Sequence, residues 1–313
     1  MRPCIPESIW DGFENKNGTY VKEKEFSVVG SFDIKGAHYR IFGRRRRGRW
    51  GSCDCTLRSI FTNDGNNESA LTPQWVAGVD GCRAGWVAAF VSLNHDDIRV
   101  RVLAQFADIF AASEEPCLVA VDIPIGLPAR IGPQGRGPER AVRPLLGDRQ
   151  SSVFPVPSRE AVYAQDYREA CRLALETSDP PKKVSKQLFM IAPKIREVDE
   201  TLRNTPSLTE RVFEVHPEVA FWRLNGGRAL EEPKKVKGRP FGPGLALRRT
   251  LLANHGFPKG ATERDAPSGA SADDLLDALA CAAIALRILA GVAAPFPNPP
   301  LYDEFGLPVA IWA

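Results

Sequence analysis

The sequence predicts a mixed α/β domain from about Trp75 to the C-terminus, preceded by a segment, residues 1–74, that lies outside it. Three observations predict this class. A run of strand-patterned segments begins at Trp75, a short apolar strand follows a helix-length crossover, and a helix that is apolar nearly all round lies near the C-terminus. Such a crossover returns the fourth strand parallel to the first, so the predicted sheet contains both strand directions.

Five segments are predicted to form the sheet. The first two flank a turn signal at residues 80–85, the third alternates apolar and polar residues, and the fourth has the continuous apolar character of a buried strand. They are Trp75 to Val79, Trp86 to Leu93, Ile98 to Leu103, Cys117 to Val121 and, later in the chain, Arg211 to Val215. A small hairpin around Gly306 is predicted to close the chain.

The other segments have helical spacing, and three of them form a predicted helical insertion at about residues 130–205. The predicted helices are Phe106 to Ala112, Pro138 to Leu146, Arg159 to Glu176, Val184 to Arg203, one beginning at His216-Pro217, Leu245 to Asn254 and Ser271 to Leu289. Proline at the first helical position favours the helix start at Pro217. Gly226 to Gly244 is rich in Gly, Pro and Lys and is predicted to be a loop.

Residues 1–74 lack the pattern of a core. They contain two short strand-like pieces, Phe26 to Phe32 and His38 to Phe42, then an arginine run at 44–47 and 49, and we expect them to be poorly structured. They hold 12 basic and 9 acidic residues, whereas the rest of the chain holds 29 of each, so the net charge of +3 comes from this segment. Overall charge is therefore no argument for nucleic-acid binding.

The composition argues against a membrane span, a signal peptide and a zinc site built from cysteines. No stretch approaches the ~20 apolar residues of a membrane span, and the polar N-terminus does not resemble a signal peptide. The seven cysteines are odd in number and show no zinc-finger or CxxC spacing, Cys53 and Cys55 forming a lone CxC. We expect a cytoplasmic protein with no membrane partner.

Carboxylates follow the strands that are predicted to be neighbours. Asp80 ends the first strand and Asp122 the fourth, at the edge where open α/β sheets bind ligands. Asp274 and Asp277 lie three residues apart on one helix face, and Glu214 ends the fifth strand. Carboxylates that converge repel one another unless cations lie between them, and Mg²⁺ or Mn²⁺ is the usual occupant of an all-oxygen site.

Each carboxylate also has a structural interpretation. Asp80 and Asp122 precede Gly81 and Pro124 closely enough to be turn formers, and Glu214 has two open roles, ligation or pairing with a nearby arginine. Asp273 is assigned to the helix N-terminus, where the helix dipole favours it. Asp277 lies a turn deeper in an apolar helix, where an unpaired carboxylate is costly, so a cation or partner is expected there.

The chain resembles domain-of-unknown-function family 429, the predicted RNase H-like nucleases, over about Val76 to Trp312. The resemblance is carried by residues 78–86 (GVDGCRAGW), 121–128 (VDIPIGLP), 151–155 (SSVFP), 191–199, 214–218 (EVHPE) and 273–280 (DDLLDALA). It implies an RNase H-like fold, a mixed five-stranded sheet flanked by helices. The last block is also similar to the C-terminal helix of bacterial junction resolvases, which implies that Asp80, Asp122, Asp274 and Asp277 are metal ligands.

Basic residues are predicted to bind the phosphates of a DNA or RNA partner. Residues 130–196 hold 13 basic and 7 acidic residues, which favours a phosphate-attracting surface. The candidates are Arg83, Arg140, Arg159, Lys186 and Lys194, with Arg136 as a further one. His216 is either a proton-transfer group or a helix cap.

Three functions are compatible with these residues. The first is metal-dependent hydrolysis of phosphodiesters, in which Asp80, Asp122, Asp274, Asp277 and Glu214 form the catalytic site. The second is a nucleic-acid- or protein-binding module that keeps the fold without turnover. The third is a phosphotransferase of the actin and sugar-kinase type, disfavoured because the predicted domain is half the size and lacks a second Gly-rich phosphate loop.

Overall fold

A seven-stranded mixed sheet forms the centre of the main domain in the computed structural model of the protein. The structure describes residues 74–94, 96–133 and 135–313, together with the backbone of two earlier strands. The chain divides between Leu71 and Thr72 into two units. In the first, strands β1 (Ser27–Ile34) and β2 (Ala37–Gly43) pair antiparallel, at the positions where strands are predicted. The arginine run and the CxC pair lie outside the described residues.

The sheet has the order β10-β11-β7-β6-β3-β4-β5. Its strands are β3 (Trp75–Cys82), β4 (Gly85–Ser92), β5 (Ile98–Leu103), β6 (Leu118–Val121), β7 (Val212–Glu214), β10 (Pro295–Tyr302) and β11 (Pro308–Trp312). The prediction of five strands was therefore wrong in number. The closing hairpin is not a separate element, because Ile311 of β11 pairs parallel with Glu214 of β7 and extends the sheet.

Most predicted helices are present, although their ends differ. The described α-helices are α1 (Gly137–Val142), α2 (Arg159–Tyr163), α3 (Tyr167–Thr177), α4 (Lys186–Asn204), α5 (Pro217–Leu224), α6 (Gly242–Asn254), α7 (Lys259–Thr262) and α8 (Ala272–Leu289). The predicted helix from Arg159 to Glu176 is two helices, because Ala164 is not helical and Asp166 caps a new one by accepting from Glu169 N. The predicted helix at 106–112 is a single 3₁₀ turn, Phe106–Ile109.

The predicted loop at 226–244 contains an unpredicted hairpin. Strands β8 (Lys235–Val236) and β9 (Arg239–Pro240) pair through a turn at Lys237 and Gly238, both of which have positive φ. Two residues of positive φ are the requirement of the tight hairpin turn that matches strand twist. All residues of this hairpin are exposed.

Apolar layers cover both faces of the sheet. One face packs against α8 and α5 through residues such as Val76, Ala120 and Leu279. The other packs against α2 to α4, where Val79, Val121 and Ile195 are buried. Residues of one strand alternate between the layers because successive side chains point to opposite faces. The predicted helical insertion is thus one of the two covering layers of the domain.

Helix α8 lies unusually close to β3, and Gly78 permits it. A Cβ atom at this position would lie 2.0 Å from Ala282 N and 2.1 Å from Ala278 O. Glycine lets the helix backbone rest on the strand, which brings the first turns of α8 beside the end of β3. No helix in the described part of the chain is long and apolar enough to cross a membrane.

Candidate functional site

Asp80 and Asp122 leave the same face of the sheet. Strands β3, β6 and β7 are parallel and in register, so Val79, Val121 and Glu214 form one row across them. Asp80 and Asp122 follow that row by one residue, and Asp122 N donates to Val79 O at 2.9 Å. Alternation places both aspartates on the face of Gly78, which is the face covered by α8.

Helix α8 supplies the facing carboxylates. Ser271 caps the helix, its backbone N–H donating to Asp274 Oδ2 at 2.8 Å and its hydroxyl to Asp273 Oδ1 at 2.8 Å. Asp273 also pairs with Lys235 at 2.6 Å, in agreement with the structural role predicted for it. Asp277 lies one turn deeper and is only 1% exposed. We refer to Asp80, Asp122 and Asp277 as the carboxylate cluster.

Burial and mutual repulsion raise the pKa values of the carboxylates in the cluster. Burial raises the pKa of Asp80 well above its usual range, and the charges of Asp122 and Asp277, with a smaller effect of Asp274, raise it further. Burial, followed by the charge of Asp277, raises the pKa of Asp122 to about 8. Strand register and the close packing of α8 on β3 put the three side chains on one face of the sheet, and these charge effects agree with that placement.

Lys234 enters the cluster from the loop before β8. Its ammonium contacts Asp277 Oδ2. Burial opposes the charged form, but the carboxylates of Asp277, Asp80 and Asp122 outweigh that cost and raise the pKa of Lys234 above its ordinary value. Sequence reasoning missed this lysine. Its only signal was two consecutive lysines after Pro233, which is indistinguishable from a solvated loop.

Glu218, also missed, approaches the cluster from α5. Its Oε1 accepts from Arg248 Nη2 at 2.5 Å, while Oε2 is buried with no hydrogen-bond partner among the described residues. Its charge raises the pKa of both Asp122 and Asp277, after the larger effect of burial on each. Arg248 is fully buried and also donates to two backbone carbonyls, so it holds Glu218 rigidly.

His216 precedes α5 and does not cap it with its side chain. Its Nε2 lies 3.3 Å from Ser152 O. Because a carbonyl only accepts, Nε2 carries the hydrogen and Nδ1 presents a lone pair. That Nδ1 is buried with no partner in the described chain. Burial lowers the pKa of His216 to about 4, so the ring is neutral at physiological pH.

Glu214 belongs to the opposite face of the sheet. It aligns with Val121 rather than with Asp122, so its side chain points away from α8. Its Oε1 lies 2.5 Å from Arg136 Nη2 and its Oε2 accepts from Ile125 N at 2.8 Å. Arg136 is itself buried and also pairs with Glu139. Of the two roles open for Glu214, this geometry favours the ion pair, and Arg136 is not available to a substrate.

The predicted phosphate-binding residues occupy different environments. Arg83 is exposed at the β3–β4 turn, and Arg140 and Lys186 are exposed on α1 and α4. Lys194 of α4 lies against the sheet face opposite α8, with its Nζ 2.5 Å from Gly85 O and 4.3 Å from the Trp86 ring centre. Arg159 pairs with Asp199 at 2.5 Å and Asp303 at 2.7 Å in a buried network, which argues against its predicted role in substrate binding.

The carboxylate oxygens of the cluster suit a hard divalent cation, but they are not arranged around a common point in this structure. Within the described ranges, no group of three or more Asp, Glu, His or Cys side chains is arranged to hold a metal ion as it stands. Two carboxylate oxygens next to the cluster, Asp277 Oδ1 and Glu218 Oε2, are nevertheless buried without a hydrogen-bond partner there. Buried carboxylate oxygens without donors are costly, and oxygen ligands are the ones that Mg²⁺ and Mn²⁺ prefer.

Asp122 predicts a pH dependence of stability. The pKa of Asp122 is raised in the folded protein, so protonation of this side chain stabilises the folded state. That stabilisation is present in full below about pH 4 and is lost as pH rises through about 8. In EDTA, replacing Asp122 with Asn should therefore raise the melting temperature at pH 8 by about 5 °C and have little effect at pH 4.5. Thermal melts at both pH values check this. An equal effect at the two pH values would show that Asp122 is not held under repulsion.

Comparison with known proteins identifies one family. The model of the family described as "Protein of unknown function (DUF429)" matches residues 78–301. The match includes Asp80, Asp122, Glu218, Lys234 and Asp277. No curated protein and no solved structure matches the chain significantly.

Proposed function

We propose that this chain, which belongs to the DUF429 family of proteins of unknown function, is a metal-dependent nuclease with an RNase H-like fold. One observation carries the proposal. Asp80, Asp122 and Asp277 converge at the ends of two parallel strands and one helix, and a buried oxygen of Asp277 lacks a hydrogen-bond partner among the described residues. Such a concentration of buried carboxylates is characteristic of a site that works with a cation.

The topology supports the fold part of the proposal. The central strands follow the order β5-β4-β3-β6-β7, with a three-stranded antiparallel meander followed by two parallel strands. This is the arrangement that the resemblance implies for an RNase H-like sheet. The two outer strands, β11 and β10, are an addition at the β7 edge.

Asp80, Asp122 and Asp277 would hold the metal, with Asp274, whose charge also acts on Asp80, as the fourth ligand that the resemblance implies. Bound Mg²⁺ or Mn²⁺ would supply an activated water and would neutralise the charge that develops on the phosphate. In hydrolysis, the water oxygen forms a bond to phosphorus, the ester P–O bond breaks, and the leaving oxygen receives a proton. The exposed Arg83 in the β3–β4 turn is placed to hold a phosphate backbone, and Lys194 of α4 lies at the Gly85 end of the same turn.

His216 presents a hydrogen-bond acceptor near this site. The ring is neutral, and its Nδ1 lone pair has no partner in the described residues. Burial is the main cause of its low pKa, and the charges of Glu218 and Lys234 also act on it. A ring with its Nε2–H fixed by Ser152 O presents Nδ1 in a constant orientation. A pKa of about 4 makes this ring a weak base at neutral pH, so we assign His216 Nδ1 as a hydrogen-bond acceptor that orients a water or hydroxyl in the site rather than as the group that takes up its proton.

A binding module without turnover is the second candidate, and Lys234 is the observation that favours it. A lysine ammonium among carboxylates neutralises them without any metal. If Lys234 holds that position permanently, the protein would keep the fold and the basic surface of a nuclease and lack its chemistry.

The test is cleavage by the purified full chain. Single-stranded, duplex, hybrid and branched DNA and RNA should be incubated in Mn²⁺, in Mg²⁺ and in EDTA. We expect at least one substrate to be cut in Mn²⁺ and none in EDTA, and binding to weaken steeply as salt rises, because phosphate contacts release counterions. Salt-sensitive binding without cleavage of any substrate would contradict the nuclease and leave the binding module.

A further inference from the structure

We propose that Lys234 is a displaceable internal counter-ion, whose ammonium and a divalent cation bind the same carboxylates in mutually exclusive states. The inference deepens the proposed function and rests on it. It assigns to one loop lysine the control of metal affinity.

The ammonium occupies the place that a cation would take. Lys234 Nζ contacts Asp277 Oδ2 and lies within electrostatic range of Asp80 and Asp122. A cation held by the same three carboxylates would face this positive charge at close range. Like charges at such a distance in a crevice repel strongly, so the cluster accommodates either the ammonium or the metal.

The backbone that carries Lys234 is fixed. Lys234 O accepts from Phe241 N at 2.9 Å, which closes the base of the β8–β9 hairpin. Just before it, Glu232 O accepts from the buried Arg248, and Pro233 packs directly against Gly244, where no Cβ would fit. The same Arg248 holds Glu218. These contacts tie the backbone of the loop to α6 and to the hairpin, so the side chain of Lys234 can change position without moving its backbone.

The side chain, in contrast, can leave. It is 28% exposed, compared with 2% for the side chain of Asp277, so the lysine reaches the cluster from the solvent side. A lysine has four rotatable side-chain bonds and a strongly hydrated head group, and it can swing into water without movement of the backbone. Metal binding then requires a rotamer change rather than local unfolding.

Lys234 and its neighbour Lys235 differ in the carboxylate that each one pairs with. Lys235 pairs with Asp273, which lies in the first turn of α8 and outside the carboxylate cluster. Lys237, at the exposed hairpin tip, serves as a matched control because it has the same charge in the same loop. Replacing either lysine with Met removes one positive charge and keeps most of the apolar stem.

The first measurement is calorimetric titration of Mn²⁺ into the full chain. Lys234→Met should bind Mn²⁺ at least about tenfold more tightly than the wild type, which is a gain of about 1.4 kcal/mol, and Lys237→Met should bind like the wild type. Equal affinities of all three proteins would overturn the inference and leave the proposed function standing. Absence of binding to the wild type and to Lys234→Met would overturn both.

The second measurement uses the wild type alone, so it does not depend on the folding of a variant. Lysine acylation by a water-soluble reagent, read by mass spectrometry, should be slow at Lys234 without metal and at least about tenfold faster in saturating Mn²⁺, because only an amine that has left the cluster is accessible to the reagent. Lys237 should react at one rate in both conditions. An unchanged rate at Lys234 in Mn²⁺-bound protein would show that the two cations coexist, and the inference would be wrong.

Discussion

Asp80→Asn is expected to lower metal-dependent cleavage by about a thousandfold while leaving the protein folded. A cation that loses one charged ligand binds more weakly and stabilises the transition state less, and a loss of about 4 kcal/mol corresponds to this factor. Stability in EDTA should rise rather than fall. The pKa of Asp80 is raised by burial and by its neighbours, so the ionised side chain is a cost in the folded protein at neutral pH.

Three properties of this variant should be measured: its cleavage rate in Mn²⁺, its melting temperature in EDTA and its binding of an uncut substrate. Asp265→Asn, at an exposed aspartate shortly before α8, is the matched control and should behave like the wild type. Nucleic-acid binding should survive in Asp80→Asn, because loss of a carboxylate also relieves repulsion toward phosphate. Cleavage that persists within a few-fold of the wild type would remove Asp80 from the catalytic site.

Arg136→Met is expected to destabilise the domain by about 4 kcal/mol, the largest stability effect that we predict. The guanidinium of Arg136 is buried between Glu139 and Glu214 and also donates to the carbonyls of Ile125 and Gly126. Its removal leaves two carboxylates buried without a counter-charge. In a domain of this size the melting temperature should fall by about 10 °C.

The same ion pair tests the role of Glu214. Glu214→Gln should be destabilised less than Arg136→Met and should cut nucleic acid within about tenfold of the wild-type rate, since the geometry places Glu214 across the sheet from the carboxylate cluster. Thermal melts and cleavage rates of both variants distinguish the cases. A loss of cleavage in Glu214→Gln comparable with that in Asp80→Asn would restore Glu214 as a metal ligand.

The strands could be predicted from the sequence because the residue patterns that indicate them are local. The segments around β3 to β6 carry continuous apolar or alternating patterns bounded by turn residues, and these patterns arise from burial on one or both faces. The ends of the helices were predicted less accurately than the strands. Nothing in the periodicity of residues 159–176 indicates the break at Ala164, because Asp166 begins a second helix with the same apolar spacing.

Glu214 illustrates a limit of reading sites from sequence. It ends its strand, as Asp122 does, and both carboxylates were expected at one edge. The register offsets them by a single residue, with Glu214 opposite Val121, and an offset of one reverses the face. Register depends on hydrogen bonding between strands that lie some 90 residues apart, so no local pattern encodes it.

The sequence by itself determined the mixed α/β class, the five central strands of the sheet and the aspartates that follow two of them, because hydrophobic period and strand termini are properties of short segments. It also determined that Asp277 needs a partner, since a carboxylate in an apolar helix is costly wherever that helix packs. Only the tertiary structure decided which partner it has. Lys234, Glu218 and Arg248 come from a loop and two helices elsewhere in the chain, and their charges meet the cluster only after the sheet and α8 have packed. Long-range electrostatic contacts depend on that packing, whereas periodicity does not.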